Sequence, residues 1–484
     1  MTTTSPRRRP RRRDATDLPI SLDRSLRNQG QQVHAALRAA ILDGLLEPEL
    51  KLPSSRRLAE QLGVRRNVIV SAYEHLFSDG LIEGRHGAGT YVAAQLPARR
   101  SMPPLAQFQF SQGARRPFAL GFTHADAVLL RRLASSVRRR IATATTDELG
   151  YGDPRGSEHL RTRIAQHLAA NRGIQCDPSC VVIVSGTQHG IRLCADALLS
   201  AGDAVWMEDP GYYAARTTLE TAGMKLVPVP VDAEGLVVGS GLKSNARAKA
   251  AYVTPSHQFP TGVTMSMARR VALLEWARST KGWIIEDDYD SEFRYSGPPL
   301  TALAGLGGDR VLYIGTFTKT LFASLRLAYL VLPPAVVERV ALVRAAHDRF
   351  PPRFMQDAVA DLISEGVLAA HTRRMPARYR DARDAVASSL SRAAGGALRF
   401  AVPTQGLHML AYLPDGLSKE AAVRIREVAG VDTKLLSEAR ISRRGPDGFI
   451  LGFSGHDIKQ LTAAADRLGR AVNDHLAHFG KFIR

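Results

Sequence analysis

Seven short apolar runs, at residues 181–185, 204–208, 225–229, 250–254, 283–287, 311–315 and 327–332, constrain this chain more than any other feature. Most are separated by stretches long enough for a helix. Strand-length runs of this kind are buried on both faces, and helix-length connections supply the layers that bury them. The pattern predicts an α/β sheet with helices on both faces. Open sheets of this type bind ligands beyond the carboxyl ends of their strands, and that is where polar residues gather in this chain.

The sixth run empties into Gly315-Thr316-Phe317-Thr318-Lys319, and a second cation follows at Arg326. A lysine at a strand end, partly desolvated, can condense with an aldehyde. Neighbouring hydroxyls and a guanidinium suit a dianionic phosphate. Four more clusters join it. Ser185-Gly186-Thr187-Gln188-His189-Gly190 closes the first run and opens a helix, offering backbone amides to an anion. Glu208-Asp209-Pro210-Gly211-Tyr212 places an aromatic ring where a flat cofactor would lie. Residues 252–262 end the fourth run in a loop punctuated by Pro255, Pro260 and Gly262. In the fifth, Asp287 emerges directly from an apolar strand, which suits pairing with a protonated heterocycle nitrogen.

The first ninety residues follow a different pattern. Val33, Leu37 and Ile41 recur at helical spacing within residues 31–45. A second helix is expected after Ser54 or Ser55 as N-cap, with Leu58 and Leu62 on one face and Gly63 as its stop. A third is expected over residues 66–78, with Ile69, Ala72, Tyr73 and Leu76 inward. That leaves Arg65, Arg66, Asn67 and Ser71 outward near its start, a geometry suited to the major groove of double-stranded DNA. Residues 81–92 read as two strands around a Gly-rich tip carrying Arg85 and His86.

Residues 52–92 resemble the winged helix-turn-helix of the GntR family, departing from its usual wording at Arg65 and Val68, where Ser and Thr are common. The resemblance implies DNA contacts from Ser54, Arg56, Arg65, Arg66, Asn67, Ser71 and Arg85. The five clusters together resemble fold-type-I aminotransferases, and the likeness covers residues 117–484. It implies a mostly parallel seven-stranded sheet, a smaller C-terminal α+β part, and pyridoxal 5'-phosphate as cofactor. By that likeness Lys319 and Asp287 are the catalytic pair: Lys319 forms the internal aldimine (the Schiff base) and Asp287 pairs with the pyridine nitrogen. Tyr289 lies near the ring oxygen and Tyr212 stacks on the ring. Gly186, Thr187, Thr316, Thr318 and Arg326 hold the phosphate, and Tyr151 reaches the phosphate of a partner subunit.

A GntR-like module and an aminotransferase-like domain in one chain resemble the MocR/GabR-type transcriptional regulators. This implies a homodimer of head-to-tail, domain-swapped form that responds to an amine, an amino acid or pyridoxal phosphate itself. An active aminotransferase with a DNA-binding appendage is the alternative. The expected organisation is a disordered basic tail over residues 1–20, the DNA-binding domain over 21–92, a linker over 93–116 and the effector domain over 117–484.

Two departures bear on the effector. Phe259 precedes Pro260-Thr261-Gly262 where aminotransferases carry Asn, leaving Gln258 or His257 to supply a polar group near the ring. Ile450 stands where the arginine that clamps a substrate carboxylate is expected, with Arg440, Arg443 and Arg444 nearby in sequence. Charge supports a polyanionic partner: the chain carries a net +19, of which +14 lies beyond residue 92. Cys176, Cys180 and Cys194 lack zinc-site spacing, so no metal is expected. No apolar run approaches the roughly 18 residues that span a bilayer, and no secretory signal is present, so a cytoplasmic protein is expected.

Overall fold

The computed structural model describes residues 18, 20, 22–23, 28–95, 116–124, 126–349, 352–442 and 445–479. They fall into two compact units divided at residue 112. Most of the expected linker and nearly all of the basic tail lie outside the described residues.

In the first unit, α1 (Gln29–Leu42), α2 (Ser55–Leu62) and α3 (Arg66–Ser78) precede a hairpin of β1 (Ile82–Arg85) and β2 (Gly89–Val92). Ser54 is the N-cap of α2, its hydroxyl accepting from the Arg57 N–H at 3.3 Å. Gly63 ends the helix in the left-handed conformation, φ 63°, and returns its N–H to the last turn. Leu37, Leu58, Ile69, Leu76 and Val92 are buried in one apolar core, each contributing about 1.5–3 kcal/mol by leaving water. The buried Tyr73 hydroxyl finds the Pro53 carbonyl at 2.8 Å, tying α3 to the turn before α2. One expectation is corrected. Leu18 and Ile20, assigned to a disordered tail, pack with Leu22 against this core.

All seven apolar runs are strands of one sheet in the second unit. In chain order they are β3 (Val181–Val184), β4 (Ala204–Asp209), β5 (Lys225–Asp232), β7 (Ala250–Val253), β8 (Trp283–Asp288), β9 (Val311–Thr316) and β10 (Ala328–Val331). The two-residue β6 (Gly235–Leu236), absent from the sequence reading, hairpins onto β5. The order is β3-β10-β9-β8-β7-β4-β5-β6. Strands β9, β8, β7, β4 and β5 are parallel, and β10 runs against both its neighbours.

Helices cover both faces. Val182 and Val184 pack with Ile191 and Leu193 of helix Thr187–Leu198. Val181 and Ile183 point the other way, onto Leu160 and Ile164 of helix Glu158–Arg172. Strand β5 departs from the expected burial. It is largely exposed, since only the short β6 lies beyond it, and an edge position tolerates Pro228 and Pro230.

The C-terminal part is a second, antiparallel sheet. Its strands β11 (Arg399–Phe400), β12 (His408–Tyr412), β13 (Lys434–Leu435) and β14 (Gly448–Gly452) are ordered β11-β12-β14-β13. Helices Val367–Ala394, Lys419–Ala429 and Ile458–Phe479 share its core. Phe118 is fully buried in that core and bridges Gly452. A Cβ at Gly452 would meet the Ala119 carbonyl oxygen at 2.7 Å, so only glycine lets the incoming strand pass this close. That passage carries Leu120 and Gly121 into the cavity described next.

Candidate functional site

One cavity at the carboxyl ends of β3, β4, β8 and β9 brings together Lys319, Asp287, Tyr289, Tyr212, Gly186, Thr187, Thr316, Thr318 and Arg326. Strand β9 ends at Thr316, whose hydroxyl accepts from the Thr318 N–H at 3.1 Å, and the turn swings Lys319 inward. Its amine is desolvated, which lowers its pKa against the opposing pull of Asp290 and Asp287. A lysine so shifted holds more of the nucleophilic free base near neutrality.

Arg326 sits in the left-handed conformation, φ 51°, closing a 3-10 turn and returning the chain into β10. Its guanidinium thereby reaches Gly186, where a Cβ would stand 3.0 Å from Arg326 Nη2. Gly186 has φ 131° and is the N-cap of helix Thr187–Leu198. Unpaired helix amides, the Thr187 and Thr318 hydroxyls and one guanidinium thus converge on a space that a single added carbon would invade. Such a set of donors suits a phosphate and forms a candidate phosphate cradle.

Asp287 supplies the opposite end. Its Oδ2 accepts from the Tyr252 hydroxyl at 2.6 Å, while Oδ1 is buried without a hydrogen-bond partner. An orphaned buried acceptor costs about 1–3 kcal/mol, and a protonated ring nitrogen removes that cost. The residues present therefore fit a phosphorylated pyridine at both ends.

Burial raises the Asp287 pKa to about 7, against the Tyr252 hydrogen bond. In the cofactor-free protein the folded state keeps a proton that the unfolded chain has released above about pH 4. Its stabilising contribution is full below that pH and is lost as pH rises towards about 7. Glu208 and Glu286, each raised to about 7 by burial, act in the same direction. Asp287→Asn is expected to remove its share of this fall, up to about 1.4 kcal/mol per pH unit, in thermal denaturation of cofactor-free protein across pH 5 to 7. An unchanged slope would place Asp287 outside the dry interior described here.

Around the ring position, the half-buried Tyr289 holds its hydroxyl 3.2 Å from His257 Nδ1. That nitrogen is also 2.9 Å from the buried Asp290 carboxylate. Tyr212 meets Phe259 edge-on, with centroids 5.6 Å apart. The amide expected from Gln258 does not reach the cavity. Its Nε2 donates to Glu208 and to the Pro210 and Phe259 carbonyls, and its Oε1 accepts from Thr261, so the side chain is spent on the loop. His257 Nδ1 is engaged by Tyr289 and Asp290 while its Nε2 is buried without a partner, the ring does not line the cavity, and Phe259 itself lines the wall.

Tyr151 is 82% exposed, under the Arg349 guanidinium, and is not at its own chain's cavity. Arg440 does not line the cavity either; its guanidinium packs against Gly445. Arg443 and Arg444 lie outside the described residues. Sequence reasoning missed Gly121, whose Cβ would lie 3.4 Å from Lys319 Nζ, and His408 on β12. It quoted Tyr252 without seeing that its hydroxyl holds Asp287.

In the first unit, Arg56, Arg65, Arg66, Asn67 and Ser71 are exposed, as is Ser54. Arg66 Nε donates to Ser55 Oγ at 3.3 Å, which settles that side chain across the α2–α3 turn. Arg85, the expected DNA contact on the hairpin, is held by carboxylates in this structure. It pairs with Glu83 at 2.7 Å and Glu49 at 3.0 Å and lies over the Tyr91 ring. Two carboxylates within reach on neighbouring backbone compete directly with a phosphate.

Comparisons with known proteins agree with this geometry. Residues 123–468 match the family described as Aminotransferase class I and II, and residues 29–92 match Bacterial regulatory proteins, gntR family. Among solved structures, kynurenine aminotransferase of Pyrococcus horikoshii aligns at 26% identity and TM-score 0.69, covering 75% of this chain and 92% of that one. LysN, an α-aminoadipate aminotransferase of Thermus thermophilus, gives 25% identity and the same TM-score of 0.69, over 75% and 93%. The fold and site thus define a pyridoxal-phosphate-dependent transcriptional regulator, with a GntR-type DNA-binding unit ahead of an aminotransferase fold.

Whole-chain relatives narrow the class. The probable rhizopine catabolism regulatory protein MocR of Rhizobium meliloti is 35% identical over 91% of this chain and 93% of its own length. The pyridoxine biosynthesis regulator PdxR of Corynebacterium glutamicum is 30% identical over 94% and 99%. The chain belongs to the MocR-type family of helix-turn-helix regulators. Among its described residues no helix is long and apolar enough to cross a membrane.

Proposed function

We propose that this regulator senses an amine, an amino acid or pyridoxal phosphate itself through Lys319, and that occupancy of the cavity changes its grip on promoter DNA. The observation that carries the reading is the pairing, in one cavity, of an orphaned Asp287 Oδ1 with the Arg326–Gly186 cradle, on a chain whose α3 start is exposed. When bound, pyridoxal phosphate supplies an electrophilic carbon that amines attack reversibly. The protein's own residues do the rest. Arg326, Thr187, Thr318 and the helix amides fix the phosphate, Asp287 holds the ring nitrogen protonated, and Tyr212, backed edge-on by Phe259, stacks on the ring.

The proposed molecule is a cytoplasmic homodimer of domain-swapped form in which Tyr151, exposed on its own chain, completes the partner's phosphate site. Its working parts are the DNA-binding segment 21–92 and the effector segment 117–484, joined by residues 93–116. The test measures binding of DNA from upstream of its own gene, with and without pyridoxal phosphate and a panel of amino compounds. Altered affinity on occupancy supports the reading. Sustained 2-oxo acid production at enzyme-like rates, with DNA affinity indifferent to occupancy, would replace it by an aminotransferase.

Arg66→Ala and Asn67→Ala are each expected to weaken that DNA binding about tenfold, in line with about 1–3 kcal/mol for a good base contact. Their cofactor absorbance should match wild type. Fluorescence anisotropy with a labelled fragment measures this, and wild-type affinity in both variants would remove α3 from the groove.

A further inference from the structure

The cavity wall away from the phosphate cradle lacks what an amino acid carboxylate needs. Ile450 is buried with Leu410, Leu436, Ala439 and Phe259 in an apolar cluster. The described cations at the cavity are Lys319, already committed to the cofactor, and Arg326, which faces the phosphate cradle. The Ser454 hydroxyl donates to the Phe122 carbonyl at 2.6 Å. Leu120, Leu407 and Phe259 make the rest of this side apolar. A carboxylate placed there would be desolvated with no positive partner among the described residues, and Asp287 and the nearby Asp290 add like charge.

His408 adds a nitrogen acceptor to this side, beside the Tyr212 and Tyr289 hydroxyls. Its Nε2 lies 3.2 Å from the Pro260 carbonyl oxygen. A carbonyl only accepts, so Nε2 carries the ring proton and Nδ1 is left as a bare acceptor. The ring is 4% exposed and lines the cavity. Nδ1 has no hydrogen-bond partner among the described residues, and it is not sealed into the protein as His257 Nε2 is. Burial, with help from His257, holds the His408 pKa down to about 3, so the ring stays neutral. This wall therefore presents a largely apolar surface on which, beside the Tyr212 and Tyr289 hydroxyls, His408 offers a neutral hydrogen-bond acceptor.

We propose that the cavity takes an amine bearing an uncharged hydrogen-bond donor, a hydroxyl or amide N–H, where an amino acid bears its carboxylate, and that His408 is the specificity-determining residue that reads this donor. The inference rests on the cofactor-site reading above and names the class of effector within it. A site built to pair a donor rejects analogues that lack one, because the acceptor is then left unpaired in a dry pocket. It rejects a carboxylate more strongly, since that adds an unpaired charge.

The test uses the full-length protein reconstituted with pyridoxal phosphate and follows the visible cofactor band during titration with L-phenylalaninol, phenethylamine and L-phenylalanine. L-Phenylalaninol is expected to half-saturate at a concentration about 10-fold below phenethylamine, and further below L-phenylalanine. In His408→Phe the ratio between the amino alcohol and the plain amine should collapse to about one. His408→Gln, which restores an acceptor, should recover part of the ratio and guards against a merely unfolded first variant. L-Phenylalanine binding as tightly as L-phenylalaninol to wild type would overturn the proposal, as would a ratio that survives His408→Phe. A cofactor band that forms but answers to none of the three compounds would also overturn it while leaving the cofactor site standing. A reconstituted wild type with no band would overturn the cofactor site beneath it.

Discussion

Lys319→Ala protein, incubated with pyridoxal phosphate and then desalted, is expected to be colourless where wild type retains a visible band. The effect is all-or-none for the shifted band of the linked cofactor, which unlike that of the free aldehyde requires a covalent bond to an amine, and among the described residues of the cavity Lys319 alone supplies one. Desolvation already lowers that lysine's pKa, so the wild-type protein attacks an aldehyde readily near neutral pH. Truncation leaves the strand β9 above it and the phosphate cradle beside it in place, so far-ultraviolet circular dichroism should not change. Absorbance spectroscopy after desalting decides the matter. A coloured variant would move the covalent link to another lysine and dissolve the site as assembled here.

Arg326→Gln is expected to weaken cofactor binding about 100-fold, measured as the dissociation constant for pyridoxal phosphate by spectral titration. A hydrogen bond to a charged group is worth about 1.5–3 kcal/mol, and a guanidinium facing a phosphate makes one or two of them. Glutamine keeps a donor but loses the fork and the charge. The residue also bears a backbone role, since it sits at φ 51°; retention of the thermal transition in the variant separates lost binding from lost fold. Gly186→Ala tests the same cradle from the other side. Its φ of 131° is unfavourable for any side chain, and its Cβ would press on the guanidinium at 3.0 Å, so it should weaken binding in the same direction. Wild-type affinity in both variants would put the phosphate elsewhere.

Much of this was legible along the chain because it is local. The third helix runs from Arg66 to Ser78, as its apolar spacing required, and Ser54 and Gly63 bound the second helix as their chemistry demands. Every one of the seven apolar runs is a strand, and the residues at the ends of five of them do assemble one cavity. What misled was the neighbourhood of each residue. The ion pairs of Arg85 went unseen because Glu49, one of its two carboxylate partners, lies 36 residues away. Strand β5 read as buried from its apolar residues, although Pro228 and Pro230 within it are what an edge position tolerates. Leu18 and Ile20 read as tail because the core they meet is formed by later helices.

The amino-acid order by itself determined which segments are helix and strand, where they stop, and which side chains stand at strand ends, since those properties depend on residues a few positions apart. The tertiary structure alone decided what faces what. It set Arg326 against Gly186, and Tyr252 against Asp287 while leaving Oδ1 open. It also set His408 against the Pro260 carbonyl 148 residues away. Hydrogen bonds and burial act over a few ångströms in space, whatever the separation in chain. The sign and partner of each polar group at the cavity therefore exist only once both sheets have packed.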